Sequence, residues 1–93
     1  MATRGEQTLM ELRKLWMEGN GFEMPFGSTQ DGIAENVGIT RGHMSLVLKD
    51  LEEKGYVKYI MAHAGRGKAR RRCYILTPKG YMRSSEIMNS EVM

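Results

Sequence analysis

Apolar residues recur at helical spacing near the start of the chain: Leu9, Leu12, Leu15 and Trp16, with Glu11, Arg13 and Lys14 between them, over Glu6 to Glu18. This periodicity predicts an amphipathic helix. Its stop is Gly19-Asn20-Gly21, where glycine accepts left-handed backbone angles. Phe22 to Gly27 reads as a loop, in which Pro25 and two phenylalanines predict a short extended piece that returns apolar side chains to the core. Pro25 cannot donate to a ladder, so any strand there is short or at an edge. Ser28-Thr29-Gln30-Asp31 reads as a helix start, with a hydroxyl to cap free amides and Asp31 at the positive end of the helix dipole. Ile33, Ala34 and Val37 give that helix its buried stripe, and Gly38 ends it. Thr40 is a further N-cap, followed by Met44, Val47, Leu48 and Leu51 at i, i+3, i+4 and i+7 and a stop at Gly55 after Lys54. Two helices around a short glycine-containing turn are the sequence form of a helix-turn-helix.

Beyond Gly55 the period changes. Tyr56 to Met61 and Arg72 to Thr77 are rich in β-branched and aromatic residues and predict two strands. Between them, Ala62 to Arg71 contains two glycines and charges that forbid burial, so the pair predicts a hairpin with a basic tip. Thr77-Pro78 opens a last helix, with Thr77 capping and Pro78 at the first helical position. Tyr81, Met82, Ile87 and Met88 form its apolar stripe. No repeat or linker divides the chain, so residues 1–93 read as one domain with its core over 6–90. The predicted class is α+β: a winged helix-turn-helix with a three-helix core, a β-hairpin wing and a short C-terminal helix.

Length and composition narrow the chemistry. The 93 residues support one small core rather than a deep multi-layer active site. No apolar run reaches the ~18 residues needed to cross a bilayer. The N-terminus shows no signal-peptide core, so a cytoplasmic location is expected. Cys73 is the sole cysteine and His43 and His63 the sole histidines, which gives neither a disulfide nor a metal cluster of known spacing. Gly65-x-Gly67 lacks the following helix and the Gly-Lys-Ser/Thr ending of a phosphate-binding loop. No cofactor is implied. Neither a nucleophile-base pair nor a carboxylate cluster can be assembled, so an enzyme is not expected.

Charge points elsewhere. The net +3 conceals nine basic and no acidic residues between Lys54 and Ser85, against five basic and eleven acidic in the remainder. A segment at +9 attached to a body at −6 is the electrostatic footprint of a polyanion-binding surface. Nucleic acid is the leading partner.

Three stretches taken together resemble the DNA-binding lobe of the MarR-type (multiple antibiotic resistance regulator) winged-helix family. They are Thr29 to Thr40, then Met44-Ser45 with Leu51-Glu52-Glu53-Lys54-Gly55-Tyr56-Val57, and Leu76-Thr77-Pro78-Lys79-Gly80. The resemblance covers roughly residues 28–80. It implies a transcriptional regulator of double-stranded DNA whose recognition helix, residues 40–54, lies in the major groove and presents Thr40, Arg41, Gly42, His43, Ser45, Leu46 and Lys49. Amphipathicity independently exposes the face opposite Met44, Val47, Leu48 and Leu51. Arg41 suits guanine O6 and N7, and Ser45 and Lys49 suit phosphates equally well. Family members often carry arginine at the position of Leu46, where an apolar contact to a thymine methyl would replace direct readout.

The hairpin looks like the family's wing (residues 62–72), with Arg66, Lys68, Arg70, Arg71 and Arg72 placed for the phosphate backbone or a narrow minor groove. Strand alternation puts Arg70 and Arg72 on one face and Arg71 on the other. Thr29 and Gln30 are phosphate candidates at a helix N-terminus, although Thr29 serves equally well as a cap alone. Cys73 and Trp16 read as core residues, His63 as a tolerated polar residue, and the nine methionines as adaptable packing. A homodimer is possible and is expected to use the first helix, the C-terminal helix, or both. The competing reading is a winged-helix module that binds protein or RNA, or the N-terminal domain of a longer chain.

Overall fold

The computed structural model describes residues 2–15, 23–64 and 69–92. Helix α1 (Arg4–Lys14) begins before the apolar periodicity does. The cause is a capping box: Thr3 Oγ1 accepts from Glu6 N at 3.1 Å, and Glu6 Oε1 accepts from Thr3 N at 2.9 Å. Two amides that helix geometry leaves unpaired are thereby satisfied. Trp16, the predicted continuation to Glu18, the Gly19-Asn20-Gly21 stop and Phe22 lie outside the described residues.

Strand β1 (Glu23–Met24) is a two-residue edge strand, parallel to β2, as Pro25 requires. Met24 is buried, but Phe26 is 40% exposed, which corrects the expectation that it returns to the core. A single 3-10 turn over Phe26–Ser28 turns Ser28 inward and leaves Phe26 outside.

Helices α2 (Gln30–Val37) and α3 (Arg41–Glu53) start at the predicted threonine caps. Thr29 Oγ1 accepts from Gly32 N at 3.0 Å and Thr40 Oγ1 from His43 N at 3.1 Å. Gly38 (φ 84°) and Gly55 (φ 79°) follow these helices in the left-handed region, where a Cβ would be strained. Ile33, Met44, Leu48 and Leu51 interlock with Leu9 and Leu12 of α1 and with Val57, Tyr74 and Leu76 of the sheet. Each such fully buried side chain contributes about 1.5–3 kcal/mol.

Strands β2 (Val57–Ala64) and β3 (Arg70–Leu76) form an antiparallel hairpin in register from Val57↔Leu76 to His63↔Arg70. The ladder runs further toward the tip than the expected 56–61 and 72–77, because basic side chains resist burial but not backbone pairing. Ala62, Ala64 and Cys73 alternate inward and close a small second cluster with Met24.

Helix α4 (Pro78–Val92) is capped by Thr77, whose Oγ1 accepts from Gly80 N at 3.0 Å and donates to Gly55 O at 2.6 Å. The latter bond ties α4 to the end of α3. Over residues 78–90 the buried positions of α4 are Gly80, Ser84 and Ile87, while Met82 (67% exposed) and Met88 face outward. Of the predicted stripe, Ile87 is buried and Tyr81 packs against the core, whereas Met82 and Met88 do not, their place on the inward face being taken by the small Gly80 and Ser84. Arg13 of α1 donates to Ser84 and Ser85 at 3.0 and 2.7 Å and lies over the Tyr81 ring. The three-helix core, hairpin wing and C-terminal helix make a winged helix-turn-helix. No described helix is long and apolar enough to cross a membrane.

Candidate nucleic-acid interface

The buried face of α3, formed by Met44, Leu48 and Leu51, fixes what the helix offers to the outside. At about 100° per residue, the outward face also carries the exposed carboxylates Asp50 and Glu53; of the expected site residues, Gly42, Leu46 and Lys49 lie nearest the outward direction, with Arg41 and Ser45 on one flank and His43 on the other. All six are exposed, Leu46 to 68%. A Cβ built on Gly42 would meet nothing within 4 Å, so its protein surroundings do not require glycine there. His43 and Leu46 also edge a shallow groove between α3 and the start of α1, away from the wing.

Arg41 belongs to a second constellation. Its Nε lies 2.8 Å from Asp31 Oδ1, and Arg71 NH1 of the wing lies 3.6 Å from Asp31 Oδ2. Gln30 Nε2 donates to the Arg41 carbonyl at 2.9 Å. The start of α2, the first turn of α3 and the base of the wing therefore meet in one open cleft of about 340 Å³, lined by Thr29, Gln30, Asp31, Arg41, Arg71 and Arg72. Arg72 stacks over the Tyr59 ring at 4.6 Å, with its pKa raised first by hydrogen bonding to Tyr74. Arg71 and Arg72 thus take different partners, as strand alternation requires. Arg70 is exposed and makes no ion pair among the described residues.

The expected site residues separate into groups. Arg41, Gln30, Arg71 and Arg72 come together; Gly42, Ser45, Leu46 and Lys49 form the open helix face beside them. Thr40 is exposed and spends its hydroxyl on the cap. Thr29 is 2% exposed, and its hydroxyl both accepts from Gly32 N and donates to Phe26 O at 2.7 Å. Capping occupies that hydroxyl, although the residue lines the cleft. Arg66 and Lys68 lie outside the described residues. Cys73 is fully buried, as a core residue. Among the described residues no His, Cys, Asp or Glu group could hold a metal.

Not all of the basic segment faces this cleft. Lys79 Nζ donates to the Lys54 carbonyl at 3.0 Å and lies over Tyr56; Lys54 pairs with Asp50 at 2.9 Å, which raises its pKa. Arg83 meets Glu6 and Glu86 at 3.6 and 3.5 Å. Among the described site residues the exposed cations are Arg41, Lys49, Arg70, Arg71 and Arg72, of which Arg41 and Arg71 share the Asp31 carboxylate. Two contributors escaped the sequence reading. Asp31 reads there only as a dipole partner, and Tyr59 only as a strand residue, although the register places it diagonal to Arg72.

No family model matches the sequence, and no curated protein matches it. Solved structures share the fold. A Staphylococcus aureus MepR-DNA complex superposes with a TM-score of 0.73 at 21% identity, covering 96% of this chain and 63% of that one. The apo form of a Lactococcus lactis ZitR variant gives 0.72 at 23% identity, covering 95% of this chain and 56% of that one. MepR described as a transcription regulator of the S. aureus multidrug efflux pump MepA gives 0.69 at 20% identity, covering 96% and 56%. This chain thus spans between 56% and 63% of the length of each.

Proposed function

We propose that the chain is a MarR-like, sequence-specific double-stranded DNA-binding regulator without enzymatic activity. Helix α3 enters the major groove, and the wing lies on the phosphate backbone or in the minor groove. The observation that carries this reading is the meeting of Arg41 and Arg71 at Asp31, in a cleft that Arg72 edges, between the start of α2 and the open face of α3. Exposed helix residues reach base edges, and cations beside them neutralise phosphates. A neighbour of the same fold, MepR, has been solved with DNA. A homodimer through α1 and α4, with Met82 and Met88 as exposed apolar surface, would set half-sites about 10 bp apart.

The test is fluorescence anisotropy of the full chain on a labelled mixed-sequence duplex between about 50 and 200 mM salt. Affinity should fall log-linearly, with a slope of about −0.9 for each phosphate contact. Replacing Arg70, Arg71 and Arg72 by alanine should flatten that slope by about one contact or more. An unchanged slope removes the wing from the interface. Absence of binding at low salt overturns the DNA reading in favour of a protein-interaction module.

A further inference from the structure

Asp31 is a carboxylate placed inside a surface proposed to meet a polyanion. By charge alone it opposes binding there. Its geometry suggests what it contributes instead. Asp31 engages Nε of Arg41 at 2.8 Å, on the inner edge of the guanidinium, and the Arg41 side chain remains 74% exposed. With that exposure the guanidinium, whose terminal nitrogens form the fork that reads guanine O6 and N7, stays accessible to an outside partner. Gln30 holds the Arg41 carbonyl at 2.9 Å, so the residue is held at backbone and side chain alike, both times from the first turn of α2. The second oxygen of Asp31 reaches Arg71 of the wing.

Surface ion pairs add little to fold stability. Holding one rotamer of a long side chain asks less of them, and it removes an ordering cost that binding would otherwise meet. We propose that Asp31 is a positioning residue for sequence recognition: it aims the Arg41 fork at one base and links that aim to the wing through Arg71. The proposal rests on the DNA-binding reading above. It has a signature that charge alone cannot produce. Removing the carboxylate should strengthen binding to unselected DNA and at the same time weaken discrimination at one base position.

Wild-type, Asp31→Asn and Asp31→Glu chains, matched by circular dichroism, are used to select from one randomised duplex pool, and the retained DNA is sequenced. Asp31→Asn should lose roughly three- to tenfold of the preference at a single position in each half-site, the scale of one ordered side chain, while other positions hold. Its affinity for the unselected pool should equal or exceed wild type, and Asp31→Glu should restore part of the lost preference. If Asp31→Asn does not fold, Asp31→Ser removes the carboxylate while keeping Arg41 intact and should show the same single-position loss. An unaltered motif, or equal loss at every position, overturns the proposal. A wild-type pool with no enriched motif overturns the sequence-specific reading itself, and this proposal with it.

Discussion

Thr29→Val separates a structural hydroxyl from a functional one. Valine keeps the shape and suits the extended backbone at this residue (φ −80°, ψ 160°), but it loses the acceptor for Gly32 N. Phe26 O keeps a second donor, Thr29 N at 3.0 Å, so a single group is orphaned. Gly32 is buried, and water does not replace the lost partner. A lost cap costs about 0.5–2 kcal/mol, and an unpaired buried donor raises this toward about 2–3 kcal/mol. At about 4–8 °C per kcal/mol for a domain of this size, the melting temperature should fall by about 10–20 °C. Thr40→Val makes the contrast: its partner amide is on an exposed turn, where water substitutes, so about 0.5–1 kcal/mol and less than about 8 °C are expected. Thermal melts by circular dichroism compare the two. Equal losses, or a Thr29→Val melt within about 3 °C of wild type, would refute the reasoning. The salt slope of Thr29→Val on DNA should match wild type; a flatter slope would restore Thr29 as a phosphate contact.

Three further outcomes are expected. Gly42→Ala should raise stability by about 0.5–1 kcal/mol, since glycine is the poorer helix former and a Cβ there meets nothing. It should nevertheless weaken DNA binding if α3 approaches bases closely, and melting curves beside anisotropy read both; unchanged affinity would place Gly42 away from the groove. Gly80→Ala should cost about 1–3 kcal/mol or prevent folding, because its Cβ would fall 1.9 Å from Tyr56 O; chemical denaturation measures it. Hydrogen bonding from the Thr3 backbone, ahead of its hydroxyl, lowers the Glu6 pKa. The stability that Glu6 supplies is therefore present above the ordinary glutamate range and lost as pH falls through its depressed folded value. Glu6→Gln should flatten the acid limb of the stability profile, and an identical limb in both proteins would count against the capping box.

Most element boundaries were legible because caps are local. Thr29, Thr40 and Thr77 announce helix starts, and Gly38 and Gly55 announce stops, through chemistry contained in a few neighbouring residues. Thr3 was missed because its helix starts ahead of the first apolar repeat. On α4, Tyr81 and Ile87 were legible, but Met82 and Met88 face outward for a tertiary reason: Gly80 and Ser84 are small enough to let α4 approach Tyr56 and Arg13, and hydrophobic periodicity does not report small-residue contacts. The wing's strands run long because backbone pairing tolerates solvent-facing arginines. At the candidate site, the exposed face of α3 followed from amphipathicity alone. The Asp31 bridge did not, since it joins α2, α3 and β3 through side chains far apart in the chain.

The most direct test of the central claim is selection by the 93-residue chain from a randomised duplex pool, with affinity followed across salt concentration. The account predicts a steep salt dependence and an enriched pseudo-palindrome with half-sites about 10 bp apart. A steep slope with no enriched sequence would contradict recognition by α3 and leave a non-specific binder of phosphate backbone.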